Sequence, residues 1–251
     1  MAEPALAYPP RPCPALDAIL ALHEDSLPPT DREPMPDVDE QERPLNYSRY
    51  AIRRHMRRVD DQVAVYGDMF VYYIGRDDRG EPVKRSVAPD VFVVYGTPYR
   101  LNRRSYVLWD EPEADIRFVL EIASRSTRAH DHGAKRDIYA SLGVREYFLY
   151  DPPGQRRPAA LVGLRLRDGV YREIAPGALP DGRPGVRSDV VGLVGYVAEG
   201  GWLRWLDPAS GKDLREFDEH ADRADAADAY ERRAEAAERR VAELEALLRK
   251  R

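Results

Sequence analysis

Two carboxylates stand in stretches of chain that otherwise read as buried β-strand. Asp90 opens the run Asp90-Val91-Phe92-Val93-Val94-Tyr95, and Glu121 sits inside Ile116-Arg117-Phe118-Val119-Leu120-Glu121-Ile122. A carboxylate in such surroundings is costly by several kcal/mol unless hydrogen bonds or a cation satisfy it. A helical pattern follows over residues 131–142, where Asp131, Lys135 and Tyr139 fall at i, i+4 and i+8 and so share one stripe. Two carboxylates on neighbouring strands, with a lysine on the next helix, are a way to hold Mg²⁺ beside a phosphate that is being cleaved. The plainer alternative places Asp90 in a turn after Pro89 and pairs Glu121 with a buried arginine.

The flanking sequence organises around that stretch. Residues 1–45 carry ten acidic and three basic side chains and are dense in proline, which predicts an irregular acidic arm with one short helix over 16–22. From Asn46 onward Ile52, Met56, Val59 and Val63 recur at helical steps, with Arg49, Arg53, Arg54, Arg57 and Arg58 on the other face. That arginine face reads either as solvated surface or as a contact for DNA phosphates. β-type runs cover 62–66, 69–74, 86–95 and 116–122, with a turn at Asp77-Asp78-Arg79-Gly80. Gly143 is placed to cap the 131–142 helix. A strand over 146–150 stops at Asp151-Pro152-Pro153-Gly154. Residues 159–166 and 170–174 form a hairpin around Arg167-Asp168-Gly169, and 202–208 is a late strand.

Composition narrows the class. Hydrophobic residues make up 43% of the 251, enough for a real core, and a single cysteine, Cys13, excludes a disulfide framework and a cysteine-rich zinc site. No apolar run approaches the ~20 residues of a membrane helix, and no basic-then-apolar leader opens the chain, so a cytoplasmic protein is expected. The net charge of −5 is uneven: residues 46–166 hold 21 basic and 16 acidic side chains, so the segment with the chemistry is the basic one. That suits a phosphate-bearing partner.

The words Pro89-Asp90, Glu121-Ile122-Ala123-Ser124 with Ser126-Thr127, Asp131-xxx-Lys135-xxx-Tyr139, and Gly143-Val144-x-Glu146-Tyr147 ending in Asp151-Pro152 are in fixed order. Together they resemble the PD-(D/E)XK nuclease superfamily and, within it, the Uma-two family of restriction endonucleases, over roughly residues 46–200. The resemblance implies an α/β fold with an αβββαβ-type core, a mixed β-sheet flanked by helices, and metal-dependent hydrolysis of phosphodiester bonds in DNA, RNA not being excluded. It implies Mg²⁺ or Mn²⁺ on Asp90, Glu121 and the Ile122 backbone carbonyl, with Lys135 acting on water and phosphate. Ser124, Asp131 and Tyr139 would stand behind them.

The chain departs from the superfamily in two places. The lysine usually found two residues after the acidic strand residue is Ala123 here, and Lys135 is the replacement that the Uma-two pattern offers. The 47–59 helix has no acidic residue before Asp60, where many superfamily members carry one. Each candidate has a plainer reading. Lys135 pairs with Asp131 along the helix surface, Asp131 caps the helix, Tyr139 packs in the core with a bonded hydroxyl, and Ser124, Ser126 and Thr127 serve turn chemistry. The rival function is a catalytically inactive nuclease-fold module that binds nucleic acid or protein.

The expected domains are an arm over 1–45, a nuclease-like domain over 46–210, and a C-terminal helix over 211–251. In the last, Ala227, Tyr230, Ala234, Ala237, Val241, Leu244 and Leu248 alternate steps of three and four. Such a seam predicts a coiled coil and a homodimer.

Overall fold

The computed structural model describes residues 14–23, 27, 39–123, 131–153 and 158–216. The chain divides into two compact units, Met1–Leu214 and Arg215–Arg251, and the described helices and strands all belong to the first. The heptad seam of 227–248 lies outside the described residues, as do Ser124, Ser126, Thr127 and the Asp131 side chain.

The elements run α1 (Pro14–Leu20), α2 (Asp39–Val59), β1 (Val63–Tyr66), β2 (Val71–Arg76), β3 (Pro82–Val87), β4 (Val91–Tyr95), β5 (Tyr106–Val107), β6 (Asp115–Ile122), α3 (Asp131–Ser141), β7 (Glu146–Asp151), β8 (Ala160–Arg167), β9 (Val170–Glu173), β10 (Gly177–Ala178), β11 (Pro184–Arg187), β12 (Val194–Val197), β13 (Leu203–Asp207) and β14 (Lys212–Asp213). A six-stranded sheet has the order β1-β4-β6-β7-β8-β9, a second sheet the order β10-β11-β12-β13-β14, and a small one the order β3-β2-β5. Within the large sheet β6 and β7 are parallel and the other neighbours antiparallel. A parallel pair needs a crossover, and α3 supplies it. With the β2–β3 hairpin and β5 set aside as insertions, α2, β1, β4, β6, α3 and β7 run helix, three strands, helix, strand. This is a mixed α/β architecture consistent with a restriction-endonuclease-like core.

Both faces of the large sheet are covered, which is why β4 and β6 are almost continuously apolar. On one face Val91, Val93, Phe118, Leu120 and Phe148 pack with Ile52 and Met56 of α2 and with Leu203 and Trp205 of the second sheet. Trp205 is fully buried. Its ring nitrogen donates to Ser48 Oγ at 3.0 Å and its backbone N–H to the Tyr47 hydroxyl at 3.0 Å. Truncating such a side chain to alanine costs about 3–5 kcal/mol. On the other face Phe92, Val94 and Val119 meet Tyr139 of α3, Val144, Tyr147, and Tyr73 and Tyr106 of the small sheet.

The structure corrects several sequence expectations. Helix α2 begins at Asp39 and runs through Pro44, seven residues ahead of Asn46 and inside the expected arm. Pro44 has no N–H to offer the Glu40 carbonyl, yet its ring is buried and the helix continues. Val63 is the first residue of β1, and Val59 is 64% exposed, so the apolar stripe of α2 is Tyr47, Ala51, Ile52 and Met56. The run 86–95 is two strands, broken where Pro89 cannot donate to a ladder. The second sheet was expected only at its 202–208 strand. Among the described residues no helix is long and apolar enough to cross a membrane.

Candidate active site

Register brings the two carboxylates together. Val91 of β4 lies opposite Leu120 of β6, so the next pair along is Asp90 and Glu121. Side chains alternate along a strand. Asp90 therefore shares its face with Phe92 and Val94, and Glu121 shares its face with Val119, which is the α3 side of the sheet. Pro89 ends β-pairing just before Asp90, whose carboxyl is buried although the residue as a whole is partly exposed, while Glu121 is 4% exposed.

The bonds around them are specific. The Ile122 backbone N–H donates to Asp90 Oδ2 at 2.6 Å. The two carboxyl groups are hydrogen-bonded to each other. Lys135 Nζ donates to Glu121 Oε2 at 2.9 Å and, more weakly, to the Ala88 carbonyl at 3.5 Å. The Tyr139 hydroxyl donates to Glu121 Oε1. One helical turn separates Lys135 from Tyr139, so α3 grips both oxygens of Glu121. The helix is held in place by its own end. Gly143 has φ 73°, and Gly143 N–H and Val144 N–H return to the Ala140 and Tyr139 carbonyls at 3.1 and 3.0 Å, a Schellman closure. Its glycine is the left-handed residue that the cap position predicts.

Burial, and then the neighbouring Glu121 charge, push the Asp90 carboxyl up to about 8, against the pull of the Ile122 N–H and Lys135. A carboxyl raised that far keeps its proton near neutral pH, which lets Asp90 donate to Glu121. Burial and Glu121 likewise drive the Tyr139 hydroxyl well above its ordinary range. Tyr147 sits 5.3 Å from Tyr139, ring centre to ring centre, and its hydroxyl is buried without a hydrogen-bond partner. Burial first, and then Glu121, raise it too. Tyr147 stands in one of the motif words with no role attached to it, since only the fold puts it beside Glu121.

The structure brings Asp90, Glu121, Lys135 and Tyr139 together, and Ala123 follows Glu121 on the same face with its N–H bonded to the Tyr150 carbonyl at 2.8 Å. Glu121 is paired with a lysine, not with the buried arginine of the plainer reading. The other buried motif carboxylate, Glu146, points to the opposite face. It accepts from Arg165 at 2.8 Å, from Ser188 Oγ and from the Asp189 N–H at 3.1 Å, and so ties β7 to the loop after β11. Among the described residues no group of three or more histidines, cysteines and carboxylates is gathered as for a metal. Helix α2, longer than expected, does carry acidic residues, but Glu42 is exposed.

A search of curated proteins finds no match to this chain. A family model does match, over residues 29–190, and its description reads "Putative restriction endonuclease". That span exceeds half the chain and contains the whole carboxylate–lysine site, so the protein belongs to this family, Uma2.

Proposed function

We propose, from that membership and the site geometry, that this protein is an endonuclease that hydrolyses phosphodiester bonds in DNA with a divalent metal. The observation that carries the reading is the meeting of Asp90, Glu121 and Lys135, from two strands and a helix, at one largely buried site with Lys135 on its solvent side. The donor set fits Mg²⁺ or Mn²⁺. Its oxygens are hard ligands. The proton that Asp90 keeps stands where a cation would satisfy both carboxyl groups. The orphaned Tyr147 hydroxyl nearby suits an ordered water.

Asp90, Glu121 and the Ile122 carbonyl would hold the metal. When bound it supplies Lewis-acid stabilisation of the phosphate and an acidified water. The remaining roles belong to the chain. The Ile122 N–H fixes the Asp90 carboxylate. Tyr139 orients Glu121 and keeps it from turning away. Lys135, a quarter exposed, presents its ammonium on the solvent side of the site, where it donates to the attacking water or to a phosphate oxygen as charge builds. Ala123 leaves room on the strand for that ammonium to arrive from α3. Asp131 stands at the first turn of the same helix as a capping or orienting group. The coiled coil read from 227–248 would pair two chains, which places two single-strand cuts on one duplex.

The test is cleavage of a mixed DNA panel with Mn²⁺ by the wild-type protein and by Glu121→Gln. Cleavage by the first and none by the second is the expected result. Equal rates for the two would remove Glu121 from the site, and no cleavage by either protein, when both bind DNA, would favour the inactive binding module.

A further inference from the structure

A second concentration of charge lies at the same end of the central sheet. A cavity of about 180 Å³ opens between α2, the end of β1 and residues 99–103, and Arg49, Arg53, Arg100 and Arg103 line it. Glu111 takes two of them, bonding Arg103 and lying 3.1 Å from Arg100. The Arg103 side chain is 4% exposed, and its Nε is buried without a partner. The other two arginines are held by neutral oxygens. Arg49 donates to Asn46 Oδ1 at 2.8 Å, and Arg53 donates to the Val65 carbonyl at 3.0 Å and stacks 4.2 Å over Tyr99. Among the described residues neither has a carboxylate partner.

Burial lowers the Arg53 pKa, and the charge of Arg49 acts in the same direction. An anion between them would offset both effects by its opposite charge. Guanidinium forks match phosphate oxygens in pairs, and the tyrosines Tyr50, Tyr66 and Tyr99 offer the aromatic walls that accompany strand binding.

The cavity adjoins the carboxylate site. Tyr66 lies opposite Phe92, so Gly67 and Asp68 run beside Asp90. A Cβ on Gly67 would sit 2.2 Å from the Asp90 carbonyl oxygen and 3.2 Å from Arg49 Cδ. No residue but glycine lets the Asp90 backbone and the Arg49 stem approach so closely. The two sites therefore share a wall.

We propose that this cavity is a phosphate subsite, in which Arg49 and Arg53 take a phosphate of the strand being cut, close to the scissile one. The identity of the strand rests on the nuclease reading; the affinity for phosphate does not. The phosphate is either an internal phosphodiester or a strand terminus.

Full-length protein carrying Glu121→Gln, which leaves the probe intact, is titrated across salt with fluorescein-labelled DNA duplexes bearing 5′-phosphate or 5′-hydroxyl ends. Adding Arg49→Gln and Arg53→Gln should weaken binding roughly tenfold to a hundredfold and flatten the log–log salt slope by about one for each phosphate that no longer meets an arginine. Equal losses on both duplexes identify an internal phosphate, and a loss confined to the phosphorylated duplex identifies a terminus. Arg53→Lys should recover part of the affinity. Arg49→Gln alone keeps the Arg53 tie to Val65 and decides the matter if the double variant fails to fold. Unchanged affinity and slope would overturn the subsite, as would a wild-type protein that binds neither duplex. If the arginine variants lose DNA while the wild-type protein never cleaves, the nuclease reading falls and the subsite stands. If the same arginine changes made in the wild-type protein leave both cleavage and binding intact, the subsite falls and the nuclease reading stands.

Discussion

Lys135 reaches Glu121 at 2.9 Å from a different element, across the gap between α3 and β6. A lysine two residues after the acid on the same strand would project from the same face, and Ala123 leaves that place without charge. The helix thus delivers an ammonium to the carboxylate from above. Because Glu121 is nearly buried and Lys135 is a quarter exposed, the cation lies on the solvent side, where a phosphate would approach.

Lys135→Ala should lower the cleavage rate about a hundredfold to a thousandfold, the range for losing one donor that acts on developing oxyanion charge. Metal affinity should change little, since the two carboxylates and the Ile122 carbonyl remain. Single-turnover cleavage alongside Mn²⁺ titration separates the two quantities. Full activity in the variant would reduce Lys135 to a structural partner of Glu121.

Tyr139→Phe removes the hydroxyl that donates to Glu121 Oε1 and leaves a buried carboxylate oxygen short of a partner. Hydrogen bonds to charged groups contribute about 1.5–3 kcal/mol, so urea unfolding should show destabilisation in that range. Cleavage should fall more modestly than for Lys135→Ala, because the tyrosine positions Glu121 and does not face solvent. An unchanged unfolding midpoint would contradict the bond.

Much of this site was legible in the strand pattern alone. The two apolar runs each held one carboxylate, which singled out Asp90 and Glu121, and the i, i+4, i+8 spacing put Lys135 and Tyr139 on one face of α3. What the pattern lacked was register, which makes Asp90 and Glu121 neighbours. The second sheet was hidden because β10, β11, β12 and β14 are two to four residues long, too short for periodicity to register, and the first three also carry glycine or proline. The start of α2 was hidden by proline density, which weakens local helix preference but yields to the packing of Tyr47 and Ser48 on Trp205. The arginine cavity was unreadable for a related reason. Arg49 and Arg53 look identical in sequence to Arg57 and Arg58, and only the fold sets Tyr99 and Val65 beside Arg53 and opens the cavity that both line.

Asp90 gives the metal-free protein a pH dependence of known sign. Its carboxyl is raised to about 8 in the folded state, by burial first and then by Glu121, whereas in the unfolded chain it ionises near ~3.9. Between those values the folded protein binds the extra proton, so this contribution is complete at acid pH and is lost as pH rises through about 8. In EDTA the thermal midpoint should therefore decline toward alkaline pH, and Asp90→Asn should flatten the decline. Metal binding displaces the same proton, so Mn²⁺ affinity in the wild-type protein should strengthen as pH rises and level off above about 8. Matching pH profiles for wild type and Asp90→Asn would sink this account.

Ala123→Lys restores a lysine to the strand position two residues after Glu121. In a Lys135→Ala background it should recover part of the rate, because the new side chain leaves the sheet on the Glu121 face. Recovery without a shift in Mn²⁺ affinity would show that the two lysines serve one phosphate. A double variant as slow as Lys135→Ala would mean that the route from α3 cannot be exchanged for the route along β6.

The last expectation rests on sequence alone. From Glu219 to Arg251 the chain has no proline or glycine and is rich in alanine, glutamate and arginine, which favours one helix of roughly 50 Å. Its seam begins with the small Ala227, Ala234 and Ala237 and ends with Val241, Leu244 and Leu248, so pairing should be strongest in the last two heptads. A lone helix with that stripe exposed gains little stability in water, and a second copy of the same helix is the simplest cover for it. The intact protein should sediment as a dimer, and a chain ending at Phe217 should sediment as a monomer. Equal monomeric masses for both would mean that the stripe folds back within its own chain, and double-strand cutting would then need two independent encounters.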